Sequence, residues 1–100
     1  MSSSVGVRRF STVVTATNAV LTVNCGFRPV AVRVQNNSNQ VMAEWSDNLA
    51  DAYAYKTIAN GTRSAVTSAG ITPSSTGFTL GALADVNDTT SESLHVEAWG

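Results

Sequence analysis

The stretch GFRPVAVRVQNNSNQVMAEW, residues 26–45, predicts a β-hairpin around which the rest of the chain can be arranged. Apolar residues alternate with others on both sides of a polar cluster, which is the period of strands that bury one face. The cluster Asn36-Asn37-Ser38-Asn39 consists of residue types that tolerate turn backbone angles. A loop of these four residues predicts the pairs Gln35–Gln40, Val34–Val41, Val32–Ala43 and Val30–Trp45, and on the outer face Arg33–Met42, with Glu44 diagonal to Arg33 as a weak surface ion pair. A slip of one residue would turn every side chain to the wrong face, so the pattern specifies which residues are buried.

Residues 49–58 are the ambiguous part of the chain, because they combine helix formers with a strand-like alternation. Tyr53, Tyr55 and Thr57 alternate with smaller or charged residues, which favours a loop over residues 48–51 and a strand over residues 52–58. Asn60-Gly61 is a strong turn signal. We therefore predict a second hairpin over residues 52–67.

The remaining chain alternates short extended segments with breakers. We expect strands over residues 10–14, 19–24, 77–80 and 93–99. Gly70 and Pro73 interrupt residues 68–76, which are expected to form a loop, and residues 82–91 are expected to form a polar connection. The sequence thus predicts an all-β fold, a small β-sandwich or jelly-roll-like barrel of seven to eight short antiparallel strands. It is divided into an N-terminal arm, residues 1–10, and one domain, residues 11–100.

The composition bears on several functional classes. A net charge of −1 over 100 residues gives no general basic field for a nucleic acid. No apolar run approaches the length of a membrane span, and MSSSVGVRRF lacks the apolar region of a signal peptide, so synthesis in a host cytoplasm is expected. Cys25 is the single cysteine, which excludes an intrachain disulfide and a cysteine-based metal cluster. We expect it to be a small buried side chain.

Candidate catalytic and metal-binding patterns are weak. His95 is the only histidine, and no Gly-x-Ser-x-Gly pattern accompanies it, so we expect a surface residue rather than a catalytic base. The run Asp85-x-Asn87-x-Thr89-x-Ser91 begins like a calcium loop, but Thr90 and Val96 stand where such a loop needs glycine and glutamate. We expect an exposed polar loop there, and we predict no enzyme, no cofactor and no metal site.

The large aromatic residues divide between core and surface. Trp45 falls on the buried face of the hairpin and is expected to anchor the core. Trp99 lies on the face opposite Leu94, so it is either a lid on the core or an anchor for a partner. Tyr53 and Tyr55 are expected to be subunit contacts or partly buried strand residues, with a sugar-stacking platform as the alternative.

Several short motifs resemble those of small structural proteins of tailed bacteriophages. They are Gly26-Phe27-Arg28-Pro29, Trp45, Gly61-Thr62-Arg63, Gly70-Ile71-Thr72, Gly77-Phe78-Thr79-Leu80-Gly81 and Asn87, and they cover about the last three quarters of the chain. The resemblance implies a virion component on the capsid surface, most like a capsid decoration (cement) protein. Such proteins often form homotrimers that lock neighbouring major capsid protein subunits together.

The resemblance and the residues together define an expected partner site. The first 25 residues carry no matching motif, and residues 2–10 combine an extended pattern with Arg8 and Arg9, so we expect this segment to dock on the capsid. The candidate partner-binding residues are Arg8, Arg9, Phe10 and Trp99. The expected partners are the major capsid protein and further copies of the chain, with no nucleic acid and no membrane. The alternative is a tail or fibre tip module that binds a host receptor or glycan through exposed aromatic residues.

Overall fold

Eight antiparallel strands form one curled sheet in the computed structural model, which describes residues 8–100. The strands are β1 (Arg9–Thr15), β2 (Leu21–Asn24), β3 (Ala31–Asn36), β4 (Val41–Ser46), β5 (Tyr53–Thr57), β6 (Arg63–Pro73), β7 (Gly77–Leu80) and β8 (Ser93–Trp99). Their order across the sheet is β1-β8-β3-β4-β5-β6-β7-β2. The predicted all-β class of seven to eight short strands is confirmed.

The hairpin of β3 and β4 buries the predicted face but pairs in a different register. Val34 lies opposite Ala43 and Val32 lies opposite Trp45, a shift of two residues from the prediction. Because the side-chain period of a strand is two, this shift leaves each of these residues on its predicted side. Arg33 now faces Glu44 directly rather than Met42. Val30, predicted to be buried, precedes β3 and is 45% exposed.

The register differs because Asn36 is a buried strand residue and not part of the loop. Its side chain is fully buried and donates hydrogen bonds of 2.9 Å to the Val86 carbonyl oxygen and to Glu92 Oε1. Its Oδ1 accepts a hydrogen bond from the Asn39 backbone N–H. The turn therefore begins one residue later than predicted, and Gln40 adopts a positive φ of 57° within it.

The second hairpin is confirmed, but its second strand is longer than predicted. β5 pairs with β6, and β6 continues through the expected loop as far as Pro73. β6 continues through this region because it bends there. Its register with β5 shifts between Tyr53 and Ala54, and Ala69 takes a φ of 59°. At the bend the backbone of Gly70 approaches the Tyr53 carbonyl so closely that a Cβ would lie 2.5 Å from its oxygen. Gly70 therefore allows the backbones of β5 and β6 to approach each other closely, and it does not end β6.

The core lies on the concave side of the sheet. It contains Val23, Phe27, Val32, Val34, Val41, Ala43, Trp45, Ala54, Ile71, Phe78, Leu80, Leu83, Val86, Leu94, Val96 and Ala98, with Ala16 at its border. Trp45 is 4% exposed and donates its indole N–H to the Ala50 carbonyl oxygen, so its predicted core position is confirmed. Cys25 is only half-buried, contrary to expectation, and its thiol donates to the Phe27 carbonyl oxygen.

Two connections, β1 to β2 and β7 to β8, lie where the two edges of the curled sheet approach each other. β1 and β2 are consecutive in sequence but lie at opposite edges, so residues 16–20 must run from one edge to the other. A link of this length spans at most about 20 Å at about 3.5 Å per residue, which keeps the two edges close. The connection between β7 and β8 adds Leu83, Val86 and Asn87 to the interior. The predicted exposed polar loop was therefore wrong for Asn87, which is fully buried.

Candidate binding face

Charged and aromatic side chains gather on the convex face of the sheet. Residues directly opposite each other on neighbouring antiparallel strands project to the same side. The observed register places Arg9 opposite Trp99, and it places Arg33 between Glu97 on β8 and Glu44 on β4. Tyr55 lies opposite Glu44 on the far side, so the row continues onto β5.

The charges form a continuous ladder of ion pairs. It runs Arg9–Glu97–Arg33–Glu44–Arg63, with nitrogen–oxygen distances of 2.6, 3.5, 3.8 and 3.4 Å in that order. These side chains are partly exposed, so each pair contributes at most about 1 kcal/mol to folding. Their main effect is orientation, because each glutamate holds two arginines and Arg33 is held from both sides. We call these five residues, with Trp99 and Tyr55, the ladder face.

Two of the arginines also stack on aromatic rings. The guanidinium carbon of Arg33 lies 5.6 Å from the centroid of the Trp99 ring. That of Arg63 lies 4.7 Å from the centroid of the Tyr55 ring. Both distances fall within the range of cation–π attraction. Stacking and ion pairing together fix four long side chains before any partner arrives, which reduces the entropy that binding must remove.

A shallow groove lies between the two arginine–aromatic pairs. Its volume is about 320 Å³, and its lining includes both pairs together with Glu44, Ser46 and Leu49. Arg33 Nε is buried and has no hydrogen-bond partner in the part of the chain that the structure describes, since the nearest Glu44 oxygen is 3.8 Å away. The groove thus combines apolar ring surface, a hydroxyl group and three charged side chains in one place.

The structure brings together only part of the predicted partner site. Arg9 and Trp99 lie side by side on the ladder face. Phe10 does not belong to the ladder face: it follows Arg9 in a strand, so it points to the opposite side of the sheet and packs, half-buried, against the core. Arg8 is exposed, and its carbonyl oxygen accepts a hydrogen bond from the backbone N–H of Gly100.

The predicted N-terminal arm overlaps the sheet at its end. β1 begins at Arg9, so the last two residues of the expected arm are paired with Trp99 and Ala98. The other predictions for the arm concern residues 1–7, which lie outside the described residues. Docking by that segment stays a prediction.

Sequence reasoning missed most of the ladder face. The sequence predicts only a weak surface ion pair for Arg33 and Glu44, and it places Arg63 only in a turn motif. The strand period alone predicts that the side chains of Arg33 and Glu44 face outward. The ion pairs of Glu97 and Arg63 could not be predicted, because they depend on which strands are neighbours and in what register they pair.

The other chemically suggestive residues do not assemble into a site. His95 is exposed on β8, opposite Val13 and Gln35. Asn87 directs its carboxamide to three backbone groups, while Asp85 is exposed. Among residues 8–100 no group of three histidine, cysteine, aspartate or glutamate side chains is placed to hold a metal ion. The same part of the chain contains no helix that is long and apolar enough to cross a membrane.

Comparisons of the chain with protein-family models, with curated proteins and with solved structures found no match.

Proposed function

We propose that this chain is a structural protein of a tailed-phage virion, a capsid decoration (cement) protein that binds the major capsid protein through the ladder face. The capsid as partner follows from the sequence motifs that resemble phage structural proteins. The ladder face as the contact surface follows from the arrangement of its side chains. The observation that carries the proposal is the pre-oriented row of arginines braced by glutamates and stacked on Trp99 and Tyr55.

The chemistry of the ladder face suits contact with a protein. Tryptophan, tyrosine and arginine are the residue types that most often dominate interface energies. Three arginines alternate with two glutamates, so a partner surface with a small excess of acidic groups would be complementary. Such charges mainly set specificity and association rate. Many modest contacts repeated over a shell, with copies joined to each other, would give strong overall attachment.

Binding to capsids that lack the protein tests this proposal. We expect Trp99→Ala and Arg33→Gln each to weaken binding at least tenfold in a co-sedimentation assay, as expected for the loss of an interface anchor. Val20→Ala is the matched control, because Val20 is 68% exposed and lies in the link between β1 and β2. Circular dichroism melts of each variant confirm that the sheet remains folded. Capsid binding unchanged by both ladder-face substitutions would overturn the proposed contact surface.

A deletion of residues 2–7 separates the ladder face from the predicted arm. It leaves β1 intact from Arg9 onward. If the ladder face carries the interaction, the shortened protein binds capsids within about threefold of the full chain, a difference under 1 kcal/mol. Loss of binding on deletion, with normal binding by the Trp99 and Arg33 variants, would assign docking to the arm instead.

The groove favours a second candidate function, a tail or fibre tip module that binds a glycan. Tyr55 and Trp99 border it on the same face as Glu44 and Ser46, which supply ring surface and hydrogen-bonding groups for a sugar. This function predicts that Tyr55→Ala abolishes glycan-induced shifts in NMR spectra of the protein. Electron microscopy of virions distinguishes the two functions, since a decoration protein covers the shell whereas a tip module is confined to the tail.

A further inference from the structure

The free edge of β1 is an open hydrogen-bonding surface. β1 ends the sheet on one side, and no residue between 8 and 100 pairs with its outer edge. Gly100 N–H donates to the Arg8 carbonyl, and Ala16 N–H donates to the Glu92 carbonyl, at the two ends of the β1–β8 ladder. Bonding in an antiparallel ladder alternates along each strand, so the even-numbered residues of β1 bond to β8. The backbone N–H and C=O groups of Arg9, Ser11, Val13 and Thr15 therefore point away from the sheet.

This edge lacks the features that normally prevent strand-to-strand association. Natural edge strands are shortened or carry lysine, proline or a bulge. β1 has seven residues and none of these features, and its one charged residue, Arg9, is held by Glu97. Val13, near its centre, is 57% exposed. The strand at the opposite edge, β2, has only four residues, so a long unprotected strand edge is specific to β1.

We propose that β1 pairs antiparallel with β1 of a second copy, across a twofold axis at Thr12. This register overlaps the whole strand and places Ser11 opposite Val13 of the second copy and Arg9 opposite Thr15 of the second copy. In this register every odd-numbered residue of β1 lies opposite an odd-numbered residue of the second copy. The free N–H and C=O groups of one β1 edge therefore face the free N–H and C=O groups of the other. No two like charges face each other. A contact made by the same surface on both partners is self-complementary, which is the condition for a twofold dimer.

The side chains of β1 fit the same arrangement. On the concave side, Phe10 and Val14 are only half-buried although they pack against the core. In the twofold register Phe10 lies opposite Val14 of the second copy, so each covers the other. On the convex side, Val13 gains a neighbour in Ser11 of the second copy. The second copy thus supplies the apolar cover that residues 8–100 of one copy do not provide, and the two curled sheets become continuous.

This dimer is independent of the capsid-binding proposal and differs from the trimer that the sequence resemblance implies. Sedimentation over a range of concentrations separates the cases. We expect the wild type to shift with concentration from 10.4 kDa to twice that mass. Val13→Lys should remain monomeric, because two lysines and the nearby Arg9 side chains would crowd like charges along the shared edge. Val20→Lys is the control, because it removes a valine outside β1 that is even more exposed (68% against 57% for Val13) and should leave the dimer intact.

A proline substitution and a cysteine substitution test the edge and the register. Val13→Pro removes an N–H that points away from β8, so it should abolish the dimer with little change in the monomer's melting temperature. In a Cys25→Ser background, Thr12→Cys should form a disulfide-linked dimer, since opposite residues at such a position have Cα atoms within disulfide range. Val20→Cys should not. A wild type that is monomeric at all concentrations, or an oligomer unaffected by Val13→Lys and Val13→Pro, would overturn the proposal.

Discussion

Asn87 provides the most direct test of how the curled sheet is held closed. Its side chain is fully buried between the β1–β2 link and the end of β7. Oδ1 accepts a 2.8 Å hydrogen bond from Thr17 N–H, while Nδ2 donates to the carbonyl oxygens of Ala19 and Gly81 at 2.8 and 3.0 Å. One donor and two acceptors converge on this point. Among side chains of this size only a carboxamide satisfies all three.

The expected loss can be estimated from these three bonds. Each contributes about 1 kcal/mol net, and its removal leaves a partly buried backbone group without a partner. Asn87→Ala should therefore lower the free energy of unfolding by about 3 kcal/mol. For a domain of this size that corresponds to a fall of about 12–24 °C in the melting temperature, at about 4–8 °C per kcal/mol.

Asn87→Asp separates hydrogen bonding from packing. Aspartate keeps the shape of asparagine and the acceptor for Thr17 N–H, but it presents an oxygen where Ala19 and Gly81 need a donor. At neutral pH it also buries a charge. We expect it to destabilise the protein at least as much as Asn87→Ala does, in urea and thermal unfolding followed by circular dichroism. Asn48→Ala, at an exposed turn, is the control and should change stability by less than about 0.5 kcal/mol. A melting curve of Asn87→Asp that matches the wild type would refute this account.

Two further substitutions test the core and the bend in β6. Trp45→Ala should lower the free energy of unfolding by about 3–5 kcal/mol, because it empties a large aromatic site and leaves the Ala50 carbonyl without its indole donor; an unchanged urea midpoint would contradict the core position of Trp45. Gly70→Ala should lower the free energy of unfolding more than Gly61→Ala does in the same assay. A Cβ at Gly70 would lie 2.5 Å from the Tyr53 carbonyl oxygen, whereas Gly61→Ala adds only the strain of a side chain at a φ of 91°, with open space around its Cβ. A loss for Gly70→Ala no larger than that for Gly61→Ala would contradict the close approach of β5 and β6 at the bend.

Apart from Val30, the sequence predicted which apolar side chains of the β3–β4 hairpin are buried, but not their partners. Alternation identifies a face, and a shift of two residues leaves that face unchanged. The register depends on Asn36, which looked like a turn residue. Its carboxamide is satisfied by Val86 and Glu92, 50 and 56 residues away. No local pattern contains that information, so the loop was placed one residue early.

In the candidate site too, local sequence patterns predicted some features, whereas contacts between distant residues were not predictable. Arg9 and Trp99, predicted as partner residues, lie together, whereas Phe10, predicted with them, points to the other side of the sheet. The strand period alone predicts that Arg9 and Phe10 face opposite sides. The contribution of Arg63 was not predictable, because its ion pair with Glu44 requires the β5–β6 hairpin to lie beside β4 in one register.

The order of strands in the sheet also determines when each part of the protein can fold during synthesis. β3 to β7 pair with their neighbours in the sequence, so they can assemble as the chain leaves the ribosome. Within residues 8–100, β1 pairs only with β8, and the pair Arg9–Trp99 joins the first of the described strands to the last. Contacts between such distant residues form slowly because a long loop must close first. The first of the described strands to be synthesised is therefore among the last to find its partner. Until Trp99 has emerged, no strand within residues 8–100 covers either edge of β1, which leaves both edges available to other chains.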